Sequence, residues 1–427
     1  MERPLLLERV LEKNPAMVEV AVRLHQAGEV PAGSWLFDLD AIAHNATRIA
    51  AEARRLKLRT YVMTKQVGRN PMATAVALHH GLDKTVAVDI QCARLLHRYR
   101  IPVGHIGHLN QIPLHDIPVA LAMRPEVITV YSVENARRIS AAAGEMKRNQ
   151  DLLMQIYAPE DIYFPGQEGG FRTTEFIDAA REIQALPNVT IAGVTSFPVL
   201  NYDFTGTREV AFNPNMQTIT QAAARLRDEL GIDITQINAP GNTSCATLAM
   251  LREGGATHVE PGHGLFGTTP PQIVEPDHVE IPAYVFVTEV SHHYEGKAYG
   301  IANGGLWAMQ GKFLDPDWRV GAMVGSDPDS AMANRMDYEH LDQIIDYHIP
   351  LHPGHRAKIG DTVVFPTYTQ AHMTRAQIVP VSGISSGNPR VWGVFDQATT
   401  MMDRDWNPVQ PGEVMRLIDE LLEEYPT

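Results

Sequence analysis

The chain has 427 residues, 44% hydrophobic and 20% charged, which is the balance of a soluble globular protein too long for one ordinary core. A formal charge of -14 argues against nucleic acid as the main partner, although a small anionic cofactor needs only local donors. The two cysteines, Cys92 and Cys245, make no disulfide framework and point to the cytoplasm; no apolar run approaches a membrane span, and the first residues mix acid and base too closely for a secretory signal.

Residues 3 to 27 read as two helices, with Asn14-Pro15 as cap and first-turn proline and Gly28 as a stop. This arm, residues 1–32, is expected to pack on the body or on a partner subunit. Ser34 to Asp40 alternates like a strand, and Ala41 to Leu56 puts Ile42, Ala46, Ile49 and Ala53 on one helical face. From Thr60 the pattern repeats as strand, then helix. Candidate strands are Thr60–Thr64, Thr85–Asp89, Val103–Gly107, Val127–Val130, Leu152–Tyr157, Thr190–Thr195, Thr235–Asn238 and His258–Glu260. Helical stretches such as Ser132–Met146, Asn213–Leu230 and Ser244–Arg252 lie between them. Eight parallel strands close a TIM-type β/α barrel, placed here over residues 33–272. The strand at Trp35 is then a ninth and is expected to join the second domain. That domain, residues 273–427, reads as β-rich, with a helical piece near Tyr338–Tyr347 and a terminal helix over Glu413–Glu424.

A barrel offers its chemistry at the carboxyl ends of its strands. Three such ends stand out. Thr60-Tyr-Val-Met-Thr-Lys65 closes on a lysine. Ala239-Pro-Gly-Asn-Thr-Ser-Cys245 puts small residues and hydroxyls before a helix, where backbone N–H groups bind phosphate. Val259-Glu-Pro-Gly-His-Gly264 sets an acid beside further backbone donors. Each alone is ordinary, since lysines edge many loops and glycine before a helix is usually a turn. Together they call for a phosphate-bearing cofactor with a lysine aimed at it and a carboxylate near its ring, and pyridoxal 5'-phosphate fits.

Between Trp35 and Phe395 the chain resembles the fold-type III pyridoxal-phosphate enzymes, which include alanine racemase, the eukaryotic-type ornithine decarboxylases and D-threonine aldolase. Leu36-Phe-Asp-Leu-Asp-Ala-Ile-Ala-His-Asn45 followed by Val62-Met-Thr-Lys65 is most similar to the alanine racemase N-terminal domain. The resemblance implies that Lys65 holds the cofactor as a Schiff base. Arg69 falls where alanine racemase has a phosphate-contacting tyrosine, and Phe197 where the family stacks a histidine on the ring. Asn242, Thr243, Gly262 and His263 fall on the phosphate-binding turns. Glu260 stands where alanine racemase has an arginine and the decarboxylases have Glu-Pro-Gly; it would keep the pyridine nitrogen protonated.

In the second domain, Tyr338 begins a segment similar to the decarboxylase Cys-Asp-x-Leu-Asp and takes the place of its cysteine. The racemase Gly-Tyr-Ala-Asp-Gly has its nearest match in Ile301-Ala-Asn-Gly304, without the tyrosine. His372 falls near the decarboxylase Ala-Tyr that touches the phosphate. No second ligand accompanies it, so no metal is expected. His292-His293 and His348, His352 and His355 read as surface loop histidines, and Cys245 as a small buried residue. The implied function is an amino-acid racemase or epimerase acting on a small-molecule amino acid, a homodimer with shared sites. Lys65 would work on one face of the α-carbon, and Tyr338 or His372 of the other subunit on the opposite face. Decarboxylation, or aldolase or dehydratase chemistry on a D-amino acid, is the alternative that Glu260 supports; a non-catalytic cofactor-binding protein is the second.

Overall fold

The first strand, β1 (Ser34–Asp38), does not pair with the strands that follow it closely in the chain. The computed structural model describes residues 6–204, 206–275, 277–303, 321–339, 346–368 and 370–425. They form two compact units: Ile49–Thr64 with Gly81–Gly262, and Met1–Arg48 with Lys65–His80 and His263–Thr427.

The first unit holds β2 (Arg59–Met63), β3 (Lys84–Ala87), β4 (Val103–Ile106), β5 (Val127–Val130), β6 (Gln150–Tyr157), β7 (Phe171–Arg172), β8 (Val189–Thr195), β9 (Leu200–Tyr202), β10 (Val210–Phe212), β11 (Gln236–Asn238) and β12 (His258–Val259). Parallel pairing runs β5-β4-β3-β2-β12-β11-β8-β6 and returns from β6 to β5, so eight strands close a β/α barrel. The short apolar runs suit this place. β4 and β5 are buried at every position, as strands covered on both faces must be. Two helix starts are set by side chains: Asp89 accepts from Cys92 N at 2.7 Å and Ser132 from Asn135 N at 3.1 Å.

The amino ends of these strands carry a polar cluster inside the barrel. Tyr61 donates its hydroxyl to Glu126 Oε2 at 2.8 Å, and Lys84 Nζ lies 2.5 Å from Glu126 Oε1. Gly104 makes room for this, because a Cβ there would come within 2.4 Å of the Tyr61 ring.

The second unit is a mostly antiparallel sheet of β1, β13 (Tyr284–Tyr294), β14 (Lys297–Ile301), β15 (Gly321–Gly325), β16 (Arg335–Tyr338), β17 (His348–His352), β18 (Thr362–Phe365), β19 (Gln377–Ser382), β20 (Arg390–Val391), β21 (Val394–Phe395) and β22 (Met401–Met402). β1 lies between β13 and β19, antiparallel to the first and parallel to the second. The helices Leu6–Lys13 and Pro15–Gln26 are built into this unit's core: Leu7, Val10, Met17, Val18 and Val22 cluster with Val285, Val287, Met323 and Val364. Each such side chain contributes about 1.5–3 kcal/mol by burial. The arm is thus part of the β-rich unit and not a segment of its own, and Lys65–His80 belongs to that unit as well.

Two expectations change here. Tyr338 ends a strand, paired with Leu351, instead of opening a helix; residues 340–345 of that segment lie outside the described residues. His292 and His293 lie in β13, and His348 and His352 in β17, so they are strand residues; His355 alone sits in a turn, Gly354–Arg356. The prolines at 350 and 353 suggested a loop, but β17 accommodates Pro350 opposite Tyr299.

Candidate active site

Glu260 follows β12 and turns into the barrel's carboxyl end. Its Oε1 accepts from His105 Nδ1 at 3.0 Å and from Asn238 Nδ2 at 2.7 Å. His105 sits in β4 and Asn238 ends β11, so strands far apart in sequence supply the donors. His105 Nε2 lies 2.6 Å from Thr129 Oγ1 in β5. His108 Nε2 lies 3.5 Å from Glu260 Oε2, and the three side chains are fully shielded from solvent. Burial alone would raise the Glu260 pKa. The charge of His108 and the hydrogen bond from His105 outweigh it and hold the carboxyl well below the usual carboxylate range. Oε2 itself is buried and accepts no hydrogen bond.

His105 and His108 escaped the sequence reading. The signal was present as Gly104-His-Ile-Gly-His108, two histidines three residues apart at a strand exit. Their nitrogens and a Glu260 oxygen all lie within 4.8 Å of one another, the make-up of a small metal cluster.

In the same unit the turn before the helix Cys245–Glu253 is tightly built. Gly241 has φ +140° and a Cβ there would meet Leu200 backbone at 3.2 Å, so only glycine serves. Asn242 is left-handed at φ 43°, and its Nδ2 reaches Leu200 O at 3.5 Å. Thr243 Oγ1 is buried without a partner, at the start of the helix. Cys245 is half-buried in the helix's first turn instead of fully buried. Phe197 packs edge-on to His108, with ring centres 5.6 Å apart, and leans on Phe164.

The β-rich unit holds Lys65, the second residue after β2. Lys65 is 9% exposed, and its carbonyl accepts from His372 N at 3.2 Å. His263 stacks on Tyr368, centres 4.0 Å apart and 14° from parallel, and its Nε2 is buried without a hydrogen bond. Burial, with the Lys65 charge adding to it, pushes the His263 pKa down to about 3, so the ring is neutral. Tyr368 was also missed in the sequence; it is four residues before His372, and burial pushes its phenol up. Tyr338 is buried edge-on to Phe365 at 4.9 Å, with burial raising its phenol against a hydrogen bond with Thr367. Arg69, at φ 59°, spends its guanidinium on Gln397 O at 2.9 Å. Gly262 is buried between Pro261 and His263.

Residues 37–270 match the family model of the alanine racemase N-terminal domain, and residues 285–391 that of the YhfX-like C-terminal domain. The chain belongs to the alanine racemase N-terminal domain family. Within reach of that family it is 37% identical over 393 residues to the uncharacterized protein YhfX of Escherichia coli (strain K12), covering 92% of this chain and 98% of that one. Among solved structures it is similar to D-threonine aldolase from Filomicrobium marinum, at 15% identity and TM-score 0.63 over 87% of this chain and 96% of that one. It is similar to alanine racemase of Clostridium difficile 630 in complex with cycloserine, at 14% identity and TM-score 0.58 over 85% and 98%. D-threo-3-hydroxyaspartate dehydratase from Delftia sp. HT23 gives 17% identity and TM-score 0.62 over 84% and 96%. At these identities the likeness is one of fold, a β/α barrel with a C-terminal β-rich domain. No helix among the described residues is long and apolar enough to cross a membrane.

Proposed function

We propose that the chain is a pyridoxal-phosphate-dependent amino-acid racemase or epimerase that works as a homodimer. The observation that carries the cofactor part of this reading is Glu260, an anion in a dry barrel mouth with one oxygen still able to accept, and the racemase part is supported by the match of residues 37–270 to the alanine racemase N-terminal domain. The residues fit the cofactor in two places. Glu260 Oε2 lacks the N–H donor that a protonated pyridine ring supplies, and Thr243 Oγ1, unpartnered at a helix start, suits a phosphate. When bound, the cofactor supplies an electron sink that makes the α-hydrogen of an amino acid acidic.

The protein's own groups do the rest. Lys65 would hold the cofactor covalently and, once displaced by the substrate amine, carry the α-proton on one face. His263 beside it is neutral, so no second fixed positive charge opposes the lysine. Asn242, Gly262 and His263 would join Thr243 around the phosphate, and Phe197 would lie against the ring. Arg69, committed to Gln397, would steady the turn after Lys65. Tyr338 or His372 of the partner subunit would serve the other face. Tyr338 keeps its proton because burial raises its phenol, so it suits giving a proton more than taking one. A second reading has one observation in its favour. A carboxylate at the ring nitrogen would keep that nitrogen protonated, and a protonated ring withdraws electrons strongly, which suits decarboxylation or the aldolase and dehydratase reactions.

Proton NMR in heavy water tests both, using the full chain, added pyridoxal phosphate and a panel of L- and D-amino acids. Loss of the α-proton signal from an otherwise intact amino acid is the expected result. New amine, aldehyde or keto-acid signals would replace it with the second reading. A visible cofactor band that is the same in the Lys65→Ala variant would remove the central assignment.

A further inference from the structure

His105 has no part in the proton transfers just described, yet it is wholly buried and bonded at both ring nitrogens. A carboxylate oxygen has two lone-pair directions, and Glu260 Oε1 fills both, with His105 and Asn238. While Nδ1 donates to that oxygen, Nε2 faces the Thr129 hydroxyl at 2.6 Å, a group that can both donate and accept, so the ring is held at both edges. The four residues come from four strands of one closed sheet, β4, β5, β11 and the exit of β12, so the chain of bonds is braced by the barrel itself. His108 approaches Oε2 only to 3.5 Å, beyond a good hydrogen bond, and leaves that oxygen open.

We infer that His105, held between Thr129 and Glu260, is a positioning residue that anchors Glu260 through Oε1 and presents Oε2 as the acceptor for a ring N–H. This rests on the cofactor reading above. Thr129 and Asn238 complete the anchor, and the arrangement selects ligands that carry a heteroaromatic N–H at that depth.

Two measurements separate the inference from the reading beneath it. The first needs no cofactor: the full chain, labelled with nitrogen-15 in histidine, should show a strongly downfield imidazole N–H proton. It should persist in Lys65→Ala, disappear in His105→Leu and Glu260→Gln, and weaken in Thr129→Val. The second uses pyridoxal phosphate labelled with nitrogen-15 in the ring. His105→Leu should move the ring-nitrogen signal from its protonated toward its unprotonated position. His105→Asn, whose amide can replace the Nδ1 donor, should restore it, and also guards against a misfolded leucine variant. A ring signal that stays protonated in His105→Leu overturns the inference, as does a wild-type spectrum without the downfield proton. One equivalent of zinc in the purified protein would overturn it too, because the same three side chains would then be ligands. Wild-type protein that takes up no pyridoxal phosphate would sink the cofactor reading and the acceptor role together, while the downfield proton would still judge whether His105 holds Glu260.

Discussion

The barrel closes around two glutamates, one at each end, and they are treated in opposite ways. Glu126, at the amino end, has both oxygens taken, one by Tyr61 and one by Lys84, and a fixed cation balances its charge. Glu260, at the carboxyl end, is more deeply buried, faces two histidines and an asparagine, and keeps one oxygen open. A buried carboxylate that is fully paired is a structural joint; one left half-satisfied at a strand exit is poised for a ligand. Under the proposed function, fold and chemistry would separate along the barrel axis, as they do in this class of barrel.

The sharpest way to break that contrast is at the open end. Lys65→Ala is expected to abolish the visible absorbance of bound pyridoxal phosphate while leaving the circular dichroism of the fold unchanged; an intact band would remove the lysine from the site. Glu260→Gln comes next. It keeps the shape and removes the charge, and is expected to lower α-proton exchange by about 100-fold or more, as loss of a preorganised electrostatic group does. The thermal midpoint should move little. If Glu260→Gln instead unfolds the barrel and spares exchange among the folded molecules, the two ends do not differ in the way described.

The closed end is expected to answer in stability. Gly104→Ala drives a methyl group into the Tyr61 ring, which its bond to Glu126 holds in place. Overpacking of this kind costs about 1–3 kcal/mol, to be read as a lower urea midpoint with exchange rates per folded molecule preserved. A neutral result would mean that the Tyr61 ring moves freely and that the cluster is not a joint.

The same contrast explains which parts were legible in the sequence. The barrel was, because most of its strands are short runs with apolar centres and helical stretches recur between them, and eight repeats leave few other folds. A barrel with eight strands of its own has no edge for the Trp35 strand, and β1 pairs with β13 and β19. The place of Glu260 at a strand exit was legible because it follows a short strand and opens a Pro-Gly turn. His105 was not, since it meets Glu260 across 155 residues of chain and across the barrel's interior, and no local pattern encodes that register. The arm's helices were readable from caps and periodicity, whereas their seat against Val285 and Val287 depends on strands more than 250 residues onward. Tyr338 misled for a physical reason: the stretch from Tyr338 to Tyr347 reads as a helical piece, but Arg335–Tyr338 is placed by pairing with β15 and β17.

The smallest expected effect lies in the Glu126 carboxyl itself. Burial pushes its pKa up, but the Lys84 and Tyr61 hydrogen bonds win and leave it lowered. A carboxyl lowered in the folded state binds fewer protons there than in the unfolded chain. It therefore contributes stability above the ordinary carboxylate pKa, and that contribution fades as pH falls through the folded value. Glu126→Gln keeps an acceptor for Tyr61 but removes the charge opposite Lys84, a pair about one-third exposed and so partly screened. Near neutral pH the variant should be less stable by about 1 kcal/mol, the scale of one hydrogen bond to a charged group discounted for solvent. On acidification the two urea midpoints should converge, because the wild type loses what the variant never had. A gap that stays constant down to pH 3 would assign the loss to packing instead of charge, and the closed end would then be held by the fit of Tyr61 against Gly104 alone.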